Sequence, residues 1–135
     1  MRLSILTAAG LLLALAQGTA LAQEFAAGKI EYMNSCAVCH GPEGKGNGPL
    51  ADELQTRPVD LTRLAEKNQG AFPFWSVYAV IDGRYIVPGH GGRDMPVWGD
   101  QFLDESSTIY GPGGGEIVAR ELILELAGYV QTLQR

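Results

Sequence analysis

Hydrophobic positions divide the chain into one unbroken apolar run and several segments with a helical period. From Ile5 to Ala16 nearly every position is apolar. After it the spacing changes. Phe25, Ile30, Tyr32 and Met33 recur as on an amphipathic helix, which predicts one from about Glu24 to the region of Cys36. Asp60 or Thr62 is placed to cap a short helix holding Leu61 and Leu64, stopped near Gly70. Phe74, Trp75, Val77, Tyr78 and Ile81 predict a third helix, opening at Pro73 and closing at Gly83. The strongest pattern runs from Gly115 to Gln134. There Ile117, Val118, Leu122, Leu124, Leu126, Tyr129, Val130 and Leu133 are expected to share one broad face, with Arg120, Glu121 and Glu125 off it.

Glycine separates these segments. Gly41 to Gly48, Gly89 to Gly92 and Gly111 to Gly115 read as loops, because glycine weakens helices and favours turns. Only Arg84 to Val87 reads as a strand. The expected fold class is therefore all-α: three to five short helices joined by long glycine-rich loops. Such loops bury little apolar surface, so a chain of 135 residues with this much irregular backbone calls for an added staple. A buried cofactor would serve.

The apolar run itself is better read as an address than as structure. One positive charge at Arg2, the run, and Ala20-Leu21-Ala22 before Gln23 make a secretory signal peptide over residues 1–22. The run is shorter than the roughly 20 residues a membrane-spanning helix needs. Export to the periplasm follows, with residues 23–135 as one domain and no membrane span once the leader is cleaved. The net charge of −5 becomes one unit more negative without Arg2. That balance argues against nucleic acid or anionic lipid as partner.

Export also sharpens the question of the two cysteines. A disulfide between Cys36 and Cys39 would close a loop too short to constrain much of the unfolded chain. Cys36-Ala37-Val38-Cys39-His40 is instead the C-x-x-C-H signature of c-type haem attachment. At the end of a helix, two sulfurs three residues apart can reach the two vinyl groups on one porphyrin edge, and the next residue points an imidazole at the iron. Two other chemistries use such residues. A redox dithiol needs a strand–helix context and usually no adjacent histidine. A zinc site would need Cys36, Cys39, His90 and a further ligand, whereas structural zinc sites usually come from paired hairpins.

A second axial ligand is expected at Met95, in Arg93-Asp94-Met95-Pro96-Val97-Trp98-Gly99, where loop chain can wrap the far face of the haem. Met33 precedes the motif on the same helix and is expected to pack. His90 is the rival ligand, with a surface position or a propionate contact as its other roles.

By these residues the chain resembles the class I cytochrome c family, and the resemblance covers nearly all of residues 23–135. Gly28-x-x-x-Tyr32-x-x-x-Cys36 resembles the family's first helix and Leu126-Ala127-Gly128-Tyr129-Val130 its last. The resemblance implies that Gly28 and Tyr32 pack against Leu126 and Tyr129. It also implies that the Pro49 carbonyl, in Gly48-Pro49-x-Leu, accepts the His40 imidazole N–H. Trp75, Tyr78, Tyr85, Trp98 and Phe74 would wall the haem, and Arg57, Arg84 and Arg93 would face its propionates. Two features depart from the mitochondrial-type pattern. Lys29, Lys45 and Lys67 are the only lysines, and Leu103 to Gly115 is an unmatched acidic, glycine-rich stretch read as a connector.

The resemblance implies an exported carrier with one covalent haem c, small and monomeric, that passes single electrons and turns over no substrate. Its donor would be a dehydrogenase or quinol-oxidising complex and its acceptor an oxidase or reductase. Alternatives are a haem subunit of such a complex, or a five-coordinate haem sensor or peroxidase should Met95 not be a ligand.

Overall fold

Residues 25–84 and 95–135 are described by the computed structural model. The expected leader, the Tyr85–Val87 part of the strand signal, the second glycine stretch, His90 and Arg93 lie outside the described residues. Helix α1 (Ala26–Glu31) runs through a π turn (Tyr32–Cys36) into α2 (Ala37–His40). A 3₁₀ turn (Leu61–Arg63) leads into α3 (Leu64–Lys67), followed by α4 (Phe74–Asp82) and α5 (Trp98–Thr132). No strand occurs among the described residues.

Local chemistry accounts for several of these boundaries. The Asp60 carboxylate accepts the Thr62 N–H at 3.0 Å, capping the 3₁₀ turn where the sequence placed a cap. α4 begins after Pro73 and ends at Gly83, whose left-handed φ of 65° closes it. α5 is two arms, 98–110 and 112–132, broken at Gly111 (φ 71°, ψ 171°) with Pro112 opening the second. A methyl on Gly115 would lie 2.7 Å from the Ser107 Cα. On a straight helix residues eight apart are separated by roughly 12 Å, so the chain turns a corner at Gly111.

Two sequence expectations change here. The 103–115 stretch is largely helix rather than connector: Trp98, Phe102 and Ser106 recur every four residues, and Phe102 and Ser106 are buried. Of the glycines in 111–115, only Gly111 leaves helical geometry. On the second arm Leu126 and Val130 of the expected face are buried and Leu122, Tyr129 and Leu133 pack beside them, but two of its members turn outward. Ile117 is 61% exposed and Leu124 37%, while Ala119, Ile123, Leu126, Ala127 and Val130 form the buried stripe.

That stripe packs on α1 and α4. A methyl on Gly28 would overlap the Glu125 carbonyl, so the two helix backbones touch at this point. One turn on, Tyr32 is fully buried with its ring 5.1 Å from that of Tyr129. Gly128 lies against the Phe25 ring. The crossing implied by the family resemblance is therefore the one observed. Tyr32, Ile123 and Leu126 are the largest fully buried side chains, each contributing about 1.5–3 kcal/mol by burial.

A second tie joins α4 to α5 through charge. Arg84 Nε donates to the buried Asp82 carboxylate (2.5 Å), and its Nη1 donates to Glu116 (2.8 Å), which also accepts from Arg120 (2.6 Å). Gly99 fits against the Asp82–Arg84 pair.

Gly28→Ala is expected to lower stability by about 1–3 kcal/mol, since it overpacks two backbones in contact. Gly113→Ala, with nothing within 4 Å of the added methyl, should leave stability unchanged or raise it by up to about 1 kcal/mol. Urea unfolding of the two variants side by side checks the contrast. Arg84→Met strands the Asp82 carboxylate in the core and is expected to cost about 3–5 kcal/mol by the same measurement.

Candidate functional site

The Cys36–His40 segment sits at the end of the first helical run. Its short α2 helix would ordinarily leave carbonyls without partners. Here the following loop supplies a donor to each. Gly41 N–H donates to Ala37 O (2.9 Å), Leu50 N–H to Val38 O (2.9 Å), Gly48 N–H to Cys39 O (3.1 Å) and Gly46 N–H to His40 O (2.8 Å). Gly41 takes a left-handed φ of 79° to start this return, and Gly48 lies so close to α2 that a side chain would strike the Val38 carbonyl. The Tyr32 hydroxyl, buried in the helix crossing, donates to Gly41 O at 2.7 Å. The glycine loop is thus a rigid clasp on the motif.

His40 is oriented from a position the sequence did not indicate. Its Nδ1 lies 3.3 Å from the Val59 carbonyl. Pro49, the partner implied by the resemblance, is exposed, and the contact falls instead to the 58–59 backbone, against which Gly46 is pressed. A carbonyl only accepts, so Nδ1 is the protonated nitrogen and Nε2 keeps its lone pair. Burial holds the imidazole below its ordinary pKa, with the Val59 bond opposing that shift. The ring is therefore a neutral ligand-ready base at pH 7. Val59 could not be read from the sequence, because the contacting atom is backbone and carries no side-chain signal.

Both cysteines are free. Burial, then the charges of Glu31 and Cys39, push the Cys36 thiol up to about 12. A redox or nucleophilic cysteine needs the opposite shift, since the thiolate is the reactive form. Among the described residues no three metal-ligating side chains gather, so nothing there completes a zinc site.

Met95 and Trp98 follow the motif by more than 50 residues and pack against the core at the start of α5. Both are half-buried against the core cluster that includes Tyr32, Cys36 and Phe102, together with Phe74, Val77 and Tyr78. Trp98 stacks on Phe102 at 5.7 Å. Trp75, by contrast, is 71% exposed and meets Phe74 and Tyr78 in T-shaped pairs. Met33, expected to pack, is 46% exposed. Arg84 is committed to Asp82 and Glu116, and Arg57 makes a loose surface pair with Asp52 at 3.5 Å. Arg93 and the rival ligand His90 lie outside the described residues.

These residues fit haem c. Two free thiols stand three positions apart, an imidazole nitrogen is left with its lone pair, and apolar Val38 and Val59 stay exposed beside them. Exposed apolar surface around such a set is what a porphyrin face would cover.

The family model described as cytochrome C oxidase, cbb3-type, subunit III matches residues 23–107, a span that takes in Cys36, Cys39, His40 and Met95. No curated protein and no solved structure matches the chain. Domains of this family bind covalently attached haem c, which makes the protein a haem-binding electron-transfer protein. The chain belongs to the cbb3-type cytochrome c oxidase subunit III family and is a class I c-type cytochrome.

Proposed function

We propose that the chain is an exported single-haem carrier in the periplasm, with Cys36 and Cys39 as the thioether residues and His40 and Met95 as the axial ligands. The observation that carries the reading is the His40 ring, whose Nδ1 is held by the Val59 carbonyl, so that Nε2 is the nitrogen that carries the lone pair. Haem c supplies the one-electron Fe(III)/Fe(II) couple. The protein's residues do the rest. The Val59 carbonyl and the clasped α2 carbonyls hold the imidazole in place. The Met95 thioether would favour Fe(II) and raise the potential relative to a second histidine. Trp98, three residues after Met95, stacks on Phe102 and anchors the start of α5 in the core.

Docking is read from the surface. An acidic chain with three lysines suits partners that present basic patches, held in brief encounters. The donor is a dehydrogenase or quinol-oxidising complex and the acceptor an oxidase or reductase. A second reading has a specific support, the oxidase subunit named in the family description. In it the chain is the haem subunit of a complex, and it co-purifies with a catalytic partner at near-equal stoichiometry.

The exported protein is expected to show a c-type reduced spectrum, a weak far-red band when oxidised, and no change on adding carbon monoxide. Met95→Ala should lose the far-red band and gain carbon monoxide binding, and Met95→His should keep six-coordination at a lower potential. Carbon monoxide binding by the parent would move the protein to the sensor or peroxidase class.

A further inference from the structure

The bond between His40 and Val59 spans two stretches of chain that are anchored separately. On one side stand the motif and the loop that follows it. On the other stands the 58–61 backbone, which supplies the acceptor. At 3.3 Å the bond is long for its kind, so a small shift of either side changes its strength.

Two side chains hold those sides. The Tyr32 hydroxyl, fixed by its ring in the helix crossing, donates at 2.7 Å to the carbonyl of Gly41, the residue next to His40. That carbonyl also accepts the Gly44 N–H (3.1 Å), so the hydroxyl holds the head of the loop. On the acceptor side the Gln134 amide makes three bonds. Its Nε2 donates to Leu61 O (2.8 Å) and to Val130 O (2.9 Å) in the last turn of α5, and its Oε1 accepts the Ala65 N–H (2.9 Å). Arg135 adds an N–H to Thr62 O at 3.2 Å. The sides also meet at Leu61 N–H on Gly44 O (2.7 Å) and where Gly46 lies against the Pro58 carbonyl. Those glycine contacts set how closely the two sides approach, and the two anchors set the angle at which they meet.

We infer that Tyr32 and Gln134 are positioning residues for the axial ligand, which act through the backbone on either side and together set the length of the bond from His40 Nδ1 to Val59 O. A hydrogen bond at Nδ1 makes an imidazole a stronger donor to a metal, which favours Fe(III). Weakening that bond therefore raises the potential. The inference rests on the proposed ligation of the iron by His40.

Four haem-loaded chains test it: the parent, Tyr32→Phe, Gln134→Met and Ile123→Val. Tyr32→Phe keeps the ring in the crossing and leaves Gly41 O its Gly44 donor. Ile123→Val shortens a buried side chain of α5 and removes no hydrogen bond. Each anchor variant is expected to raise the reduction potential. Each should also speed exchange of the His40 Nδ1 proton, followed by NMR in the reduced protein, by about two- to tenfold, the effect of one neutral hydrogen bond. Ile123→Val is expected to lower the urea midpoint and to leave potential and exchange alone. An anchor variant that keeps the parent's potential and exchange overturns the inference and leaves the proposed function standing. So does an Ile123→Val variant that shifts both as far as the anchor variants do, since any loosening of the core would then suffice. A parent without haem bands, or without His40 on the iron, overturns the proposed function instead. Should one anchor variant fail to load haem, the other decides alone.

Discussion

The contact on which the structure depends is backbone against backbone, where Gly28 meets the Glu125 carbonyl. Without a side chain between them, α1 and α5 cross closely enough for Tyr32 and Tyr129 to pack and for Tyr32 to be sealed from water. The sealed phenol then reaches Gly41, the first residue after His40. A packing constraint at one end of the helix is in this way passed directly to the loop that clasps the motif at the other. The electrostatic tie through Arg84 holds α4 to the same long helix, so both halves of the core are referenced to α5.

Much of this was legible in the sequence, and the reasons for the rest are physical. Helix ends with their own chemistry were readable: Asp60, Pro73 and Gly83 each mark a boundary through a cap, a fixed φ or a left-handed turn. The close crossing of Gly28 and Tyr32 on Leu126 and Tyr129 is implied by the family resemblance and not by periodicity or spacing. The first arm of α5 was hidden by glycines 111–115, of which one alone breaks the helix. Ile123 was hidden differently. In Leu122-Ile123-Leu124 every residue is apolar, so periodicity cannot say which one turns inward.

The site divides along the same line. Cys36, Cys39 and His40 form a motif of side chains and stand out in the sequence. The Val59 carbonyl that orients His40 belongs to the path of the chain, which no residue identity encodes. The salt bridge from Arg84 to Glu116 spans 32 positions and becomes visible only when α4 and α5 are brought together. The π turn is the extreme case, since an extra residue in a helix looks like any other residue.

The clasp on α2 has an evolutionary consequence. Four amides between Gly41 and Leu50 answer four carbonyls in a fixed sequence, so adding or removing one residue there would misalign the bonds beyond it. Asp52 to Arg57, largely exposed, lies just past the last of these bonds. Length variation among descendants of this chain is therefore confined: the 41–50 segment behaves as a ruler of set length, and the stretch that follows it is where the chain can grow.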